Sequence, residues 1–186
     1  MKKFLVALLV CLSTQASAMM VGGEKLADKV RVGNSDLVLN GAGLRTKFIL
    51  NIYVGALYLG TTKTTAEAVL ADTGTKRVEL HILHHLSAGD FMEAFNKAIN
   101  ANLTTDEYVA VSARLLNFSR VFRQVGEVEK GSVIILDYLP DTGLVLTVKG
   151  KELTRIQGED FYRAMLKIWL GNKPVQDSLK KGMLGG

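Results

Sequence analysis

The chain predicts an α+β fold in which strands gather into a sheet and helices are layered on it. Three observations carry this reading. The run Phe48–Leu59 is apolar apart from Asn51, Gly55 and two tyrosines. It is too short to cross a membrane, rich in β-formers, and without the alternation of a half-exposed strand, so it reads as a buried central strand. Residues Phe91, Ala94, Phe95, Ala98 and Ile99 repeat at helical spacing and share one apolar stripe. Finally, the elements run strands, helices, hairpin, helices, which is not the alternation of a βαβ protein.

Taken in order, residues 1–18 read as a secretory signal peptide. Lys2 and Lys3 form the positive start, Phe4–Leu12 the apolar run, and Ala16-Ser17-Ala18 the cleavage site. Removing 18 residues from 186 leaves 168, the length of one ordinary domain. Cys11, the only cysteine, lies in that leader, so the processed chain has no disulfide, thiol nucleophile or thiolate ligand. Losing two lysines and no acid lowers the formal charge from +5 to +3. The basic residues are scattered without interleaved aromatics, which argues against nucleic-acid binding. The expected address is the periplasm, with no stable membrane insertion once the leader is gone.

Gly22–Leu37 alternates loosely and predicts one or two short strands. Asn40-Gly41-Ala42-Gly43 reads as a tight turn, with Arg45 and Lys47 leading into the central strand. Thr64 and Glu67 suggest a capping box before a short helix at Ala66–Leu70. Lys76–His84 alternates as a strand, with Val78, Leu80 and Ile82 on one face and Arg77, Glu79 and His81 on the other. One helix starts near Ser87 and runs to about Asn102. A second, from Asp106, points Tyr108, Val111, Leu115, Phe118 and Phe122 inward. Gly126–Gly131 is a turn. Ser132–Leu139 and Leu144–Lys149 form a hairpin around Pro140-Asp141-Thr142-Gly143. Glu159–Leu170 is a helix closed by Gly171, and Val175–Met183 a final short one. Trp169 is expected to pack the last long helix onto the sheet.

Arg45 stands where the chain enters the core, so its guanidinium either satisfies turn carbonyls or binds a carboxylate or oxyanion at a cleft mouth. Tyr53 and Tyr58, five apart on one strand, face opposite sides of the sheet. His81 and His85 are four apart, but in a strand that separates them by ~13 Å, so no metal site is expected. No phosphate loop, nucleophile elbow or cofactor motif is present, and no cofactor is expected.

The motif G-x-G-x-R-x-K-F at 41–48 followed by Y-V-G-A-L-Y-L at 53–59 resembles the chalcone isomerase-like family, in particular its secreted bacterial members. The ending F-x-x-A-x-L-x-I-W-L-G-x-x-P at 161–174 extends the resemblance across the chain. It implies an open-faced β-sandwich: a long antiparallel sheet covered on one face by helices, with any ligand between the two layers. It further implies that Arg45 holds a fatty-acid carboxylate, as in the binding members, or the charge developing near a phenolate, as in the isomerases. Tyr53 matches a hydroxyl-bearing residue that organises an active-site water in the isomerases. Plant isomerases carry a tyrosine, a lysine and an asparagine where this chain has Phe91, Ala94 and Ala98. None of these three exchanges protons.

The sequence therefore points to a non-catalytic protein that binds a small amphipathic carboxylate such as a fatty acid. Arg45 and Tyr53 would supply its polar groups, and Phe91, Ala94, Phe95 and Ala98 its apolar wall. Two alternatives stay open: an isomerase (intramolecular lyase) on an unidentified substrate, and an envelope protein that docks a partner. The oligomeric state is not legible.

Overall fold

The computed structural model describes residues 18–186, so the expected leader falls, apart from Ala18, outside the described residues. The described chain opens with a small hairpin, β1 (Met19–Val21) and β2 (Glu24–Leu26). β3 (Lys29–Val32), β4 (Ser35–Lys47) and β5 (Leu50–Leu59) follow. Next come α1 (Ala66–Leu70), β6 (Lys76–Ile82) and β7 (Leu86–Ser87), then the long helices α2 (Ala88–Asn102) and α3 (Thr105–Arg123). β8 (Glu127–Val128) pairs with β7. β9 (Val133–Leu139), β10 (Gly143–Val148) and β11 (Lys151–Ile156) precede α4 (Glu159–Leu170) and α5 (Asp177–Met183).

Seven strands form one antiparallel sheet in the order β11-β10-β9-β6-β5-β4-β3. The fold is the expected α+β one. β5 is an interior strand, buried on both faces for a visible reason. Tyr53, Leu57 and Leu59 face the core beneath the helices. Val54, Ala56 and Tyr58 face a second, smaller core with Leu26, Val32 and Leu37, on the side of the β1–β2 hairpin. The opposite placement of Tyr53 and Tyr58 follows from the two-residue period of a strand. β6 divides as its alternation requires. Val78, Leu80 and Ile82 lie in the main core, while Arg77 pairs with Asp137 at 2.6 Å and with Glu79 at 3.2 Å.

Several expectations need correction. Asn40–Gly43 is not a turn; it lies inside β4. Asn40 is the extra residue of a β-bulge between Leu39 and Gly41, and its side chain ties the strand to the loop after β5 and to the end of α5. It accepts from the Lys63 amide at 2.6 Å and donates to the carbonyls of Lys63 (3.0 Å) and Met183 (2.8 Å). Gly41 and Gly43 are small because α5 packs on them. A Cβ on Gly41 would meet the Gly182 carbonyl at 2.3 Å, and one on Gly43 the Leu179 Cα at 3.0 Å. The chain reverses instead at Phe48, whose φ of 56° is rare for a bulky side chain.

The cap of α1 is Thr65, which accepts from the Ala68 amide at 3.2 Å, rather than Thr64. The capping box stands on α3, where Thr104 and Glu107 satisfy one another's amides. On that helix Tyr108 is exposed rather than inward, while Val111, Leu115, Phe118 and Phe122 are buried. The stripe of α2 is rotated: Met92 replaces Ala94 among its buried residues, and Phe91 is half-buried. β11 was not expected. It is an edge strand with a polar sequence, so it carries little of the apolar alternation that marks a strand.

Candidate functional site

An open cleft of about 640 Å³, counted out to its mouth, lies between the sheet and α2. Its polar end is built by β4 and β5. Gly41, Gly43, Arg45 and Lys47 occupy alternate positions of β4 and so share one face. The first two seat α5, and beyond that helix the same face opens into the cleft with Arg45 and Lys47. Arg45 stands directly opposite Tyr53 in the register. Between Tyr53 and Asn51 the register shifts by one residue, leaving Ile52 unpaired. A bulge of this kind re-aims side chains, and here both Ile52 and Tyr53 line the cleft.

Arg45 is half-buried and held from one side only. Its Nη1 donates to the Thr46 carbonyl and to Gln176 Oε1, the latter at 3.0 Å. Gln176 is fixed in turn. Its Oε1 accepts from the Thr46 amide at 2.9 Å, and its Nε2 donates to the Leu44 carbonyl (3.1 Å) and Ser178 Oγ (2.6 Å). Among the described residues no carboxylate pairs with Arg45, and its Nε and Nη2 have no partner. A cation held this way retains the donors that bind a carboxylate or another oxyanion.

The Tyr53 hydroxyl accepts from Trp169 Nε1 at 3.1 Å, which leaves its own proton to donate. Burial raises its pKa against the smaller opposing effects of the Trp169 bond and the Arg45 charge. At ordinary pH it is therefore a neutral donor and not a base.

The remaining walls are apolar. α2 supplies Phe91, Ala94 and Phe95; α4 supplies Ile168 and Trp169; Leu86 and Val175 complete them. Phe91 stacks on Phe122 with centroids 4.5 Å apart, and Phe95 on Phe118 at 5.0 Å. Those stacks fill the space behind the cleft. Asp90 lies at its edge, its carboxylate accepting from Ser87 Oγ at 2.7 Å.

Of the six residues singled out from the sequence, the structure gathers Arg45, Tyr53, Phe91, Ala94 and Phe95 around one cavity. Ala98 does not line it. It lies four residues past Ala94, ~6 Å farther along the helix axis, and is buried in the core. Lys47, Asp90 and Gln176 were not named as site residues. Lys47 was detectable, since it stands two positions from Arg45 on one strand. Gln176 was not, because 131 residues separate it from Arg45. Trp169 packs α4 as expected and also lines the cleft. His81 lies 3.0 Å from Glu79 and His85 2.8 Å from Glu127, so the two histidines have different partners.

The sequence matches the family model described as chalcone isomerase-like over residues 18–185. The chain belongs to the chalcone isomerase-like family. A solved structure with the same chalcone isomerase-like fold is the crystal structure of an Arabidopsis thaliana fatty-acid binding protein. It superposes with a TM-score of 0.66 at 15% identity, covering 90% of this chain and 96% of the other. No curated protein matches the sequence. At that identity the likeness speaks for the fold alone. Within a chalcone isomerase-like fold, the wall that α2 turns to this cleft is phenylalanine and alanine, with its one carboxylate at the rim.

Proposed function

We propose that this protein binds a small amphipathic carboxylate, such as a fatty acid, without transforming it, and that it belongs to the secreted bacterial branch of the family. It would work in the periplasm after its first 18 residues are removed. The observation that carries the reading is Arg45: a guanidinium with free donors and no carboxylate partner among the described residues, at the end of an apolar cleft. The carboxylate head would take the free edge of Arg45 and the Tyr53 hydroxyl, while the tail lies against Phe91, Ala94 and Phe95. The solved Arabidopsis relative in fold is itself described as a fatty-acid binding protein, which supports the choice of ligand. A concave, mostly apolar site with a few converging polar groups at one end is the usual form of a small-molecule site.

Mass spectrometry of the purified protein tests this directly: a co-extracted lipid carboxylate is expected, and Arg45→Ala should abolish it. That variant should keep a nearly unchanged thermal midpoint, because the hydrogen bonds lost are at a half-exposed position. A variant that unfolds readily would show that Arg45 serves the fold and would sink the site. Turnover of a chalcone above its uncatalysed rate is expected to be absent.

A further inference from the structure

The β4–β5 hairpin ends in a feature that ligand binding does not use. Phe48 is 94% exposed and Ile49 95%, with Leu50 half-exposed beside them. The backbone at Phe48 takes a positive φ of 56° that L side chains rarely adopt, so this tip holds an uncommon conformation with its largest side chain in water. Lys47 directly precedes it. From Leu37 to Ala66 the chain contains no acidic residue, and in β4–β5 its two cations, Arg45 and Lys47, both lie at the tip end. Lys47 and Ile52 also line the cleft, so the tip adjoins the cleft mouth.

Size and charge together choose the partner. Two side chains offer only a few hundred Å², well short of the ~800 Å² each partner usually contributes to a stable protein interface. They do suit a shallow wedge in the headgroup–acyl boundary, where an aromatic and an aliphatic side chain are buried while a neighbouring lysine meets anionic headgroups. We propose that Phe48 and Ile49, with Lys47, form a wedge that enters an anionic lipid surface and sets the cleft mouth against it. This docking needs no bound ligand, so it stands or falls apart from the binding proposal.

Vesicles of phosphatidylcholine with one quarter phosphatidylglycerol test it. The double variant Phe48→Ser/Ile49→Ser, whose thermal midpoint should not change, is expected to bind them about tenfold or more weakly than wild type. Lys47→Gln should weaken binding to these vesicles about fivefold and leave binding to pure phosphatidylcholine unaltered. In Phe48→Trp, the emission added to that of Trp169 should be quenched by brominated acyl chains. Arg45→Ala, which also removes a cation from this end of the hairpin, should weaken binding to these vesicles no more than Lys47→Gln does and leave binding to pure phosphatidylcholine unaltered. Equal binding of wild type and the double variant, an unquenched Trp at position 48, or docking of the tip on a protein in place of lipid each overturns the proposal.

Discussion

Tyr53 is both wall and clasp: its ring packs in the main core, and its oxygen accepts the only hydrogen bond that Trp169 Nε1 makes among the described residues. Tyr53→Phe would keep the ring and strand a buried indole N–H. A loss of about 1–3 kcal/mol in urea unfolding is therefore expected. Gln176 acts one step back. Gln176→Ala should lower ligand affinity by less than Arg45→Ala, since it frees the guanidinium to wander without removing it. Isothermal titration with a fatty acid would separate the two. Acid sensitivity also belongs to individual residues. The hydrogen bond from Lys167 holds Glu107 below the usual carboxylate range, and the bidentate contact from Arg114 does the same for Asp160. Their folded pKa values lie below the unfolded ones. The stabilisation is thus complete above the ordinary carboxylate range and is lost as pH falls through the folded values. The thermal midpoint should be level from neutral pH to about 5 and decline below about 4. Glu107→Gln with Asp160→Asn should make that decline shallower.

Among the elements, the pairing of β4 with α5 decides where the cleft begins. The helix lies against Gly41 and Gly43, and Gly182 on the helix meets the strand in return, since a Cβ there would come within 2.5 Å of the Ala42 carbonyl. Backbone on both sides leaves nothing to yield. Gly41→Ala is expected to cost about 1–3 kcal/mol or more, by overpacking. Gly60→Ala, where an added Cβ meets nothing within 4 Å, should be close to neutral and serves as the control. Comparing urea midpoints for the two checks the claim. The same element explains a misreading: Asn-Gly-x-Gly is ordinarily turn chemistry. Here the glycines answer a helix more than a hundred residues later, and the real reversal carries a phenylalanine.

For the molecule as a whole, the phenylalanine stacks between α2 and α3 limit how deep a ligand reaches. Affinity for straight-chain carboxylates should rise by roughly 0.8 kcal/mol per methylene while the tail is being buried. It should level off once the tail meets Phe95, which stacks on Phe118 behind the cleft. Phe95→Ala should move that plateau to longer chains, at a cost of about 3–5 kcal/mol in stability. Much of this architecture is written locally. The apolar run of β5, broken only by Asn51, Gly55 and two tyrosines, the alternation of β6 and the Pro-Asp-Thr-Gly hairpin are each set by neighbours in the chain, and in β6 the periodicity also names the buried face. The resemblance then pointed to Arg45 and Tyr53. What no local pattern carries is which strand face a distant segment will cover. Gln176 clamps Arg45, α5 closes over Gly41 and Gly43, a bulge turns Ile52 and Tyr53 together into the cleft, and α2 is rotated enough to bury Met92 and release Ala94. Each of these depends on contacts made between parts of the chain far apart in sequence, and such contacts exist only once the sheet and helices have packed.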